Sequence, residues 1–168
     1  MEMHNSSEMH ITTKKHSMPR MQYKKLALMV IISFIAMFIL MYSMVDRFAN
    51  VIPNYNQLYM AGLMTAAMII IEIVLMGNMY MNKKLNAIII AISTFVLVAC
   101  FFFIRNQTAV GDRQFLKSMI PHHAAAILMV KESKITDPEI KKLTNDIISS
   151  QSEQIDFMKA KIRELDSK

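Results

Sequence analysis

Three long apolar runs restrict what this chain can fold into. Leu26 to Val45 carries no charged residue and has about the 20 residues that a helix needs to cross the hydrocarbon of a bilayer. Leu58 to Met81 follows, with Glu72 its one charged residue, and then Leu85 to Ile104. In lipid a chain must satisfy its own backbone N–H and C=O groups, so such runs are read as helices. Asp46-Arg47 closes the first run, Pro53 and Asn54 mark a turn before the second, and Asn82-Lys83-Lys84 separates the second from the third. These runs predict an all-α membrane protein with spans at 26–45, 58–81 and 85–104, within a transmembrane region covering 26–105. The lone cysteine, Cys100, lies inside the third run, so no disulfide can form within one chain, and a packing role is expected.

Charge sets the expected orientation. Residues 1–25 hold Lys14, Lys15, Arg20, Lys24 and Lys25 against Glu2 and Glu8, whereas the 46–57 connection has only Arg47. Lys and Arg collect on the cytoplasmic side. The amino terminus and the 82–84 turn are therefore expected in the cytoplasm, with everything after Arg105 outside a multi-pass plasma-membrane protein. The net charge of +6 is concentrated beside the first span, with no interleaving of basic and aromatic residues, so no nucleic-acid partner is expected. Residues 1–25 read as a basic, poorly ordered cytoplasmic tail in which Glu2-Met3-His4 recurs as Glu8-Met9-His10, a pattern able to capture copper transiently.

Past a short linker at 106–111, the chain reads as a two-helix hairpin over 106–168. Asp112 is expected to cap a helix running from about 113 to 134. Ile135 to Glu139 is the break, with Thr136 and Glu139 at capping-box spacing and Pro138 in the next first turn. The second helix, to about Leu165, carries the apolar stripe Ile140, Leu143, Ile147, Ile148, Ile155, Met158, Ile162 and Leu165. Two helices alone cannot bury both stripes, so two copies are expected to pair into a four-helix bundle, a homodimer. Gln151 interrupts the stripe and needs a polar partner. Folding about Ile135–Thr136 brings His122 and His123 near Ser149 and Met119 near Ser152, which puts Gln151 close to both.

The chemistry concentrates in Met119-Ile120-Pro121-His122-His123. Residues three and four apart on a helix are neighbours, so Met119 shares a face with each histidine. Imidazole with thioether suits copper, the sulfur favouring Cu(I). Pro121 removes one helix hydrogen bond and is expected to kink the helix there, splaying the two imidazoles. Methionine is heavily used, at 18 residues with no Trp, which fits both gap-filling and thioether coordination. In the second span Met60, Met64, Met68, Glu72 and Met76 recur every four residues. Glu72 there marks either a metal or proton station or a hydrogen bond to Ser33, Ser43, Ser93 or Thr94 that holds helices together.

Asp112, Phe115, Met119-Ile120-Pro121-His122-His123, Ala126-Ile127, Met129, and then Gln151, Ile155 and Met158 resemble the DUF305 family over roughly 112–162. The chain departs from that pattern at Ala124-Ala125, where the family often has Gln-Gly, and at Gln154, where it has Glu. The resemblance implies a ferritin-like helical domain associated with copper. It implies metal ligands at Met119, His122, His123, Met129 and Met158, and it places Gln151 behind an imidazole as an orienting residue. A di-iron oxidase is disfavoured, because neither His122 nor His123 has a Glu three residues before it. The expected function is a membrane-anchored, non-enzymatic copper-binding protein for sequestration, delivery or tolerance, holding Cu(I) in preference to Cu(II). The alternative is a copper-transporting channel working through Met64, Met68 and Glu72. Expected partners are the bilayer, the metal ion and a second copy.

Overall fold

The computed structural model describes the backbone of residues 3–167 and the side chains of residues 21–167. The described residues are all-helical. Helix α1 is Met3–Leu40, α2 is Tyr55–Leu75, α3 is Lys83–Arg105, α4 is Asp112–Glu132 and α5 is Pro138–Asp166. Two short 3-10 turns, Met41–Met44 and Phe48–Asn50, lie between α1 and α2. Three helices are long and apolar enough to cross a membrane, over Met21–Met44, Tyr55–Leu75 and Lys83–Arg105.

Helix ends differ from expectation where a cap was overlooked. The second apolar helix begins three residues before the expected 58, because the Asn54 side chain accepts from the Gln57 N–H at 3.0 Å. It stops at Leu75 rather than 81, in a turn through Met76-Gly77-Asn78-Met79 that includes two poor helix formers. Asn82 opens α3 in the same way, accepting from the Leu85 N–H at 3.1 Å. Residues 3–25, expected to be poorly ordered, continue the backbone of α1, as extending an existing helix costs far less than nucleating one. The Met/His repeat at positions 3–18 lies outside the described side chains.

The chain divides into two compact units, residues 1–37 with 61–101 and residues 38–60 with 102–168. In the first, Leu26, Ile73 and Tyr80 form a small core. Tyr23 donates to Asn86 Oδ1 at 2.7 Å, and Asn86 donates to the Tyr80 carbonyl at 2.8 Å, which ties α1 to the turn before α3. Gly62 lets α2 pass close to α3, since a Cβ there would meet Cys100 Sγ at 3.1 Å.

In the second unit α4 and α5 lie antiparallel around Ile120, Ala124, Ile127, Ile155 and Met158. Asp137, not Thr136, caps α5, its carboxylate accepting from the Glu139 and Ile140 N–H groups at 2.8 and 3.0 Å. Pro138 then fills the first position, as expected. At α4 the cap residue is Gly111 and Asp112 is already helical. Replacing Asp137 by Ala is expected to cost about 1 kcal/mol. Hydrogen exchange read on the first turn of α5 checks this, and unchanged protection there would contradict the cap.

The register of this pair also differs from expectation. Arg113 Nη2 meets Asp166 Oδ1 at 2.6 Å, which puts the pivot at about residues 139–140 instead of 135–136. The cause is the linker at 133–137, which has no helical structure and is extended at Ser133 and Asp137, with one tight turn in which the Ile135 N–H donates to the Ser133 carbonyl at 3.1 Å. Five residues span at most about 16 Å, roughly the rise of ten helical residues. The linker thus runs past the end of α4, and the start of α5 projects beyond it. Ile140 and Leu143, on that projecting part, are 49% and 57% exposed.

A polar chain fastens the preceding segment to this pair. Lys159 donates to Asn50 Oδ1, and Asn50 donates to Asp46 Oδ1 at 2.6 Å. Val45 and Ile52 pack against the α4–α5 core beside it.

Candidate metal centre

Helix α4 continues without a break through Pro121, whose buried ring sits inside the helix. Adjacent residues on a helix diverge by about 100°, so His122 and His123 point to different sides and cannot form one chelating face. His122 is exposed and lines a cavity with Pro121 and Ala125. His123 is half-buried, and its Nδ1 is buried with no hydrogen-bond partner. With the ring proton on Nε2, neutral His123 presents a free lone pair at Nδ1. Burial, and then the charge of neighbouring His122, lower the His123 pKa from the usual 6.5.

That shift has a sign. His123 stays neutral in the folded chain while the unfolded chain takes up the proton more readily. The stability this contributes is present above about pH 6.5 and is lost as pH falls below it toward the folded value. The metal-free protein is therefore expected to lose Tm between pH 7.5 and 5.5 by more than His123→Gln does, and identical losses would contradict the neutral, buried imidazole.

The remaining expected ligands separate. Met119 lies one turn before His123 and packs against the α4–α5 core, in which Met158 is buried. Met129 is 51% exposed and six residues beyond His123, about 9 Å along the helix and on a different face, so it does not join the pair. Gln151 is half-buried on α5 but does not bond His123 Nδ1, because the register places residues near 157, rather than 149, across from position 122. Among the described residues no three His, Cys, Asp or Glu side chains gather to hold an ion. The available soft donors are thioethers and imidazoles.

In the first unit, Met64 is exposed and Met68 half-buried on α2. Glu72 finds its partner in Tyr80, whose hydroxyl donates to it at 3.2 Å, instead of in Ser33, Ser43, Ser93 or Thr94. Asn86 holds Tyr80 in place from the start of α3, a contact that helix periodicity in α2 does not reveal.

Sequence reading overlooked the cavity beside His122. Its volume is about 390 Å³, and Met41, Met44 and Met60 share its lining with His122. In a 3-10 turn residues three apart eclipse, so Met41 and Met44 stack on one side of Met41–Met44. Met41 and Met44 fall inside the expected first span at 26–45, and the 3-10 turn that replaces its last helical turn carries both to the cavity wall. Asn56 and Gln107 also line the cavity and are bonded to each other at 2.9 Å. Gln107 is held in the left-handed region, at φ 49°, an unfavourable conformation for a residue with a side chain.

Among the described residues the chain is an all-helical protein with three long apolar helices before this antiparallel pair, and the profile of the family described as "Domain of unknown function (DUF305)" matches residues 103–162. The chain is 36% identical over 144 residues to "Uncharacterized protein L153" of Acanthamoeba polyphaga mimivirus, covering 82% of this chain and 91% of that protein. It belongs to the family of that protein, and the aligned length extends well beyond the DUF305 domain into the apolar helices. No solved structure matches the chain.

Proposed function

We propose that this is a membrane-anchored copper-binding protein whose DUF305 domain takes up Cu(I) for sequestration or delivery, giving copper tolerance, without enzymatic turnover. The observation that carries the reading is His123, whose buried Nδ1 has no partner and which follows Met119 by one helical turn. Desolvating an imidazole nitrogen without a hydrogen bond is unfavourable, and metal ligation would satisfy it. Thioether beside imidazole favours Cu(I) over harder ions.

The anchor reading rests on the three apolar helices, whose outer faces carry side chains such as Ile31, Ile39 and Phe95 that are exposed in the single chain and suit lipid. The excess of Lys and Arg before the first of them supports a cytoplasmic amino terminus, with the DUF305 domain on the outer face of the plasma membrane. Ile140 and Leu143, left uncovered by the projecting start of α5, support pairing with a second copy.

The test is a competition titration. Full-length protein in detergent, under reducing conditions, is set against a chromogenic Cu(I) chelator. Retention of copper against the chelator is expected. Complete surrender of copper at low chelator concentration would sink the proposal.

A further inference from the structure

We infer that the cavity beside His122 is a second soft-metal station, in which Met41, Met44, Met60 and His122 hold one Cu(I) ion on a different side of α4 from His123. The inference rests on the copper reading above but uses residues outside the DUF305 match at 103–162, except His122.

Three features of the lining select the ion. No Asp, Glu, Lys or Arg is among the residues around it, so nothing there balances a hard divalent cation, which wants carboxylate oxygen. Three thioethers and one imidazole are the donor types that select Cu(I), a soft monovalent ion. Asn56 Oδ1 is buried without a hydrogen-bond partner, and Asn56 belongs to the wall, so an unused acceptor dipole is available to a cation.

The backbone brings these four donors from three separate places. The 3-10 turn stacks Met41 over Met44. Met60 lies one turn after Asn56 on α2, and Asn56 is fastened to Gln107 at the end of α3. His122 comes from α4. Met41, Met44 and Met60 belong to the chain leaving the first apolar helix and entering the second, whereas Met119 and His123 belong to the DUF305 domain. Two stations on neighbouring sides of α4 suit transfer of an ion between the membrane-facing segment and the domain.

The experiment uses full-length protein in detergent, labelled with ¹³C at the methionine methyls, and Ag(I) as a redox-inert soft probe. The expected result is two bound Ag(I), with the Met41, Met44 and Met60 methyl signals shifting together and Met119 shifting separately. Met41→Leu/Met44→Leu/Met60→Leu, a volume-conserving change, is expected to reduce the bound silver from two ions to one. His122→Ala is expected to abolish the shifts of the three methionines. One bound ion with a Met119 shift and unmoved Met41, Met44 and Met60 overturns this station and leaves the DUF305 reading standing. No bound silver at all overturns both. If the triple variant fails to fold, the wild-type methyl shifts alone decide.

Discussion

Ile120→Ala is expected to destabilise the α4–α5 pair by about 2–5 kcal/mol, the usual range for emptying a buried Ile site. Among the described residues Ile120 is the largest side chain with no exposed surface, and it belongs to the cluster with Ala124, Ile127, Ile155 and Met158. Alanine's better helix propensity recovers only a few tenths of a kcal/mol. Leu116, Met119 and Ile162 pack around this cluster, and the Arg113–Asp166 ion pair beyond it is exposed and contributes at most about 1 kcal/mol. Native-state hydrogen exchange on α4 and α5 reads the change directly. Protection there should fall by at least about 30-fold, since each 1.4 kcal/mol is tenfold. Ile140→Ala, on the projecting and half-exposed start of α5, should change protection by only a fraction of that amount. Equal effects at the two positions would mean that the pair is not organised around Ile120.

His122→Ala/His123→Ala is expected to lower Cu(I) affinity by at least about 100-fold. Loss of the residues that merely orient metal ligands typically costs 10–100-fold, so loss of the imidazoles themselves should exceed it. The double variant strips the nitrogen donor from both sides of α4 at once. His122 is exposed and His123 only half-buried, so the fold should survive the change. The single variants should differ in kind: His123→Ala removes the donor beside Met119, and His122→Ala removes the donor beside Met41, Met44 and Met60. Zn(II) and Ca(II) should compete poorly, because the described residues gather no carboxylate or thiolate set for them. A double variant that holds Cu(I) as tightly as the wild type would remove the histidines from the account.

The three apolar helices were legible because hydropathy over some twenty residues depends on nothing outside the run itself. Their ends were less so. Asn54 and Asn82 act as caps, and each sits where a loop residue and a helix cap look alike until the hydrogen bond to the third residue on is known. The Pro-His-His segment of α4 was legible as a motif, and its two imidazoles diverge as expected, through the angle between neighbouring residues of an uninterrupted helix. The register across α4 and α5 was not legible. It depends on whether residues 133–137 turn back sharply or run on extended, and the same residues permit either. That one difference moved Gln151 away from His123. The cavity beside His122 was hidden for a related reason. Met41, Met44 and Met60 approach His122 only through the folding of the 38–60 segment against α4, which no local pattern encodes.

The most direct test of the central claim is X-ray absorption at the copper edge on full-length protein loaded with Cu(I) in detergent. The account predicts sulfur scattering together with the multiple-scattering signature of imidazole, the imidazole part disappearing in His122→Ala/His123→Ala. A spectrum with neither histidine nor methionine signature, or one that the double substitution leaves unchanged, would contradict it.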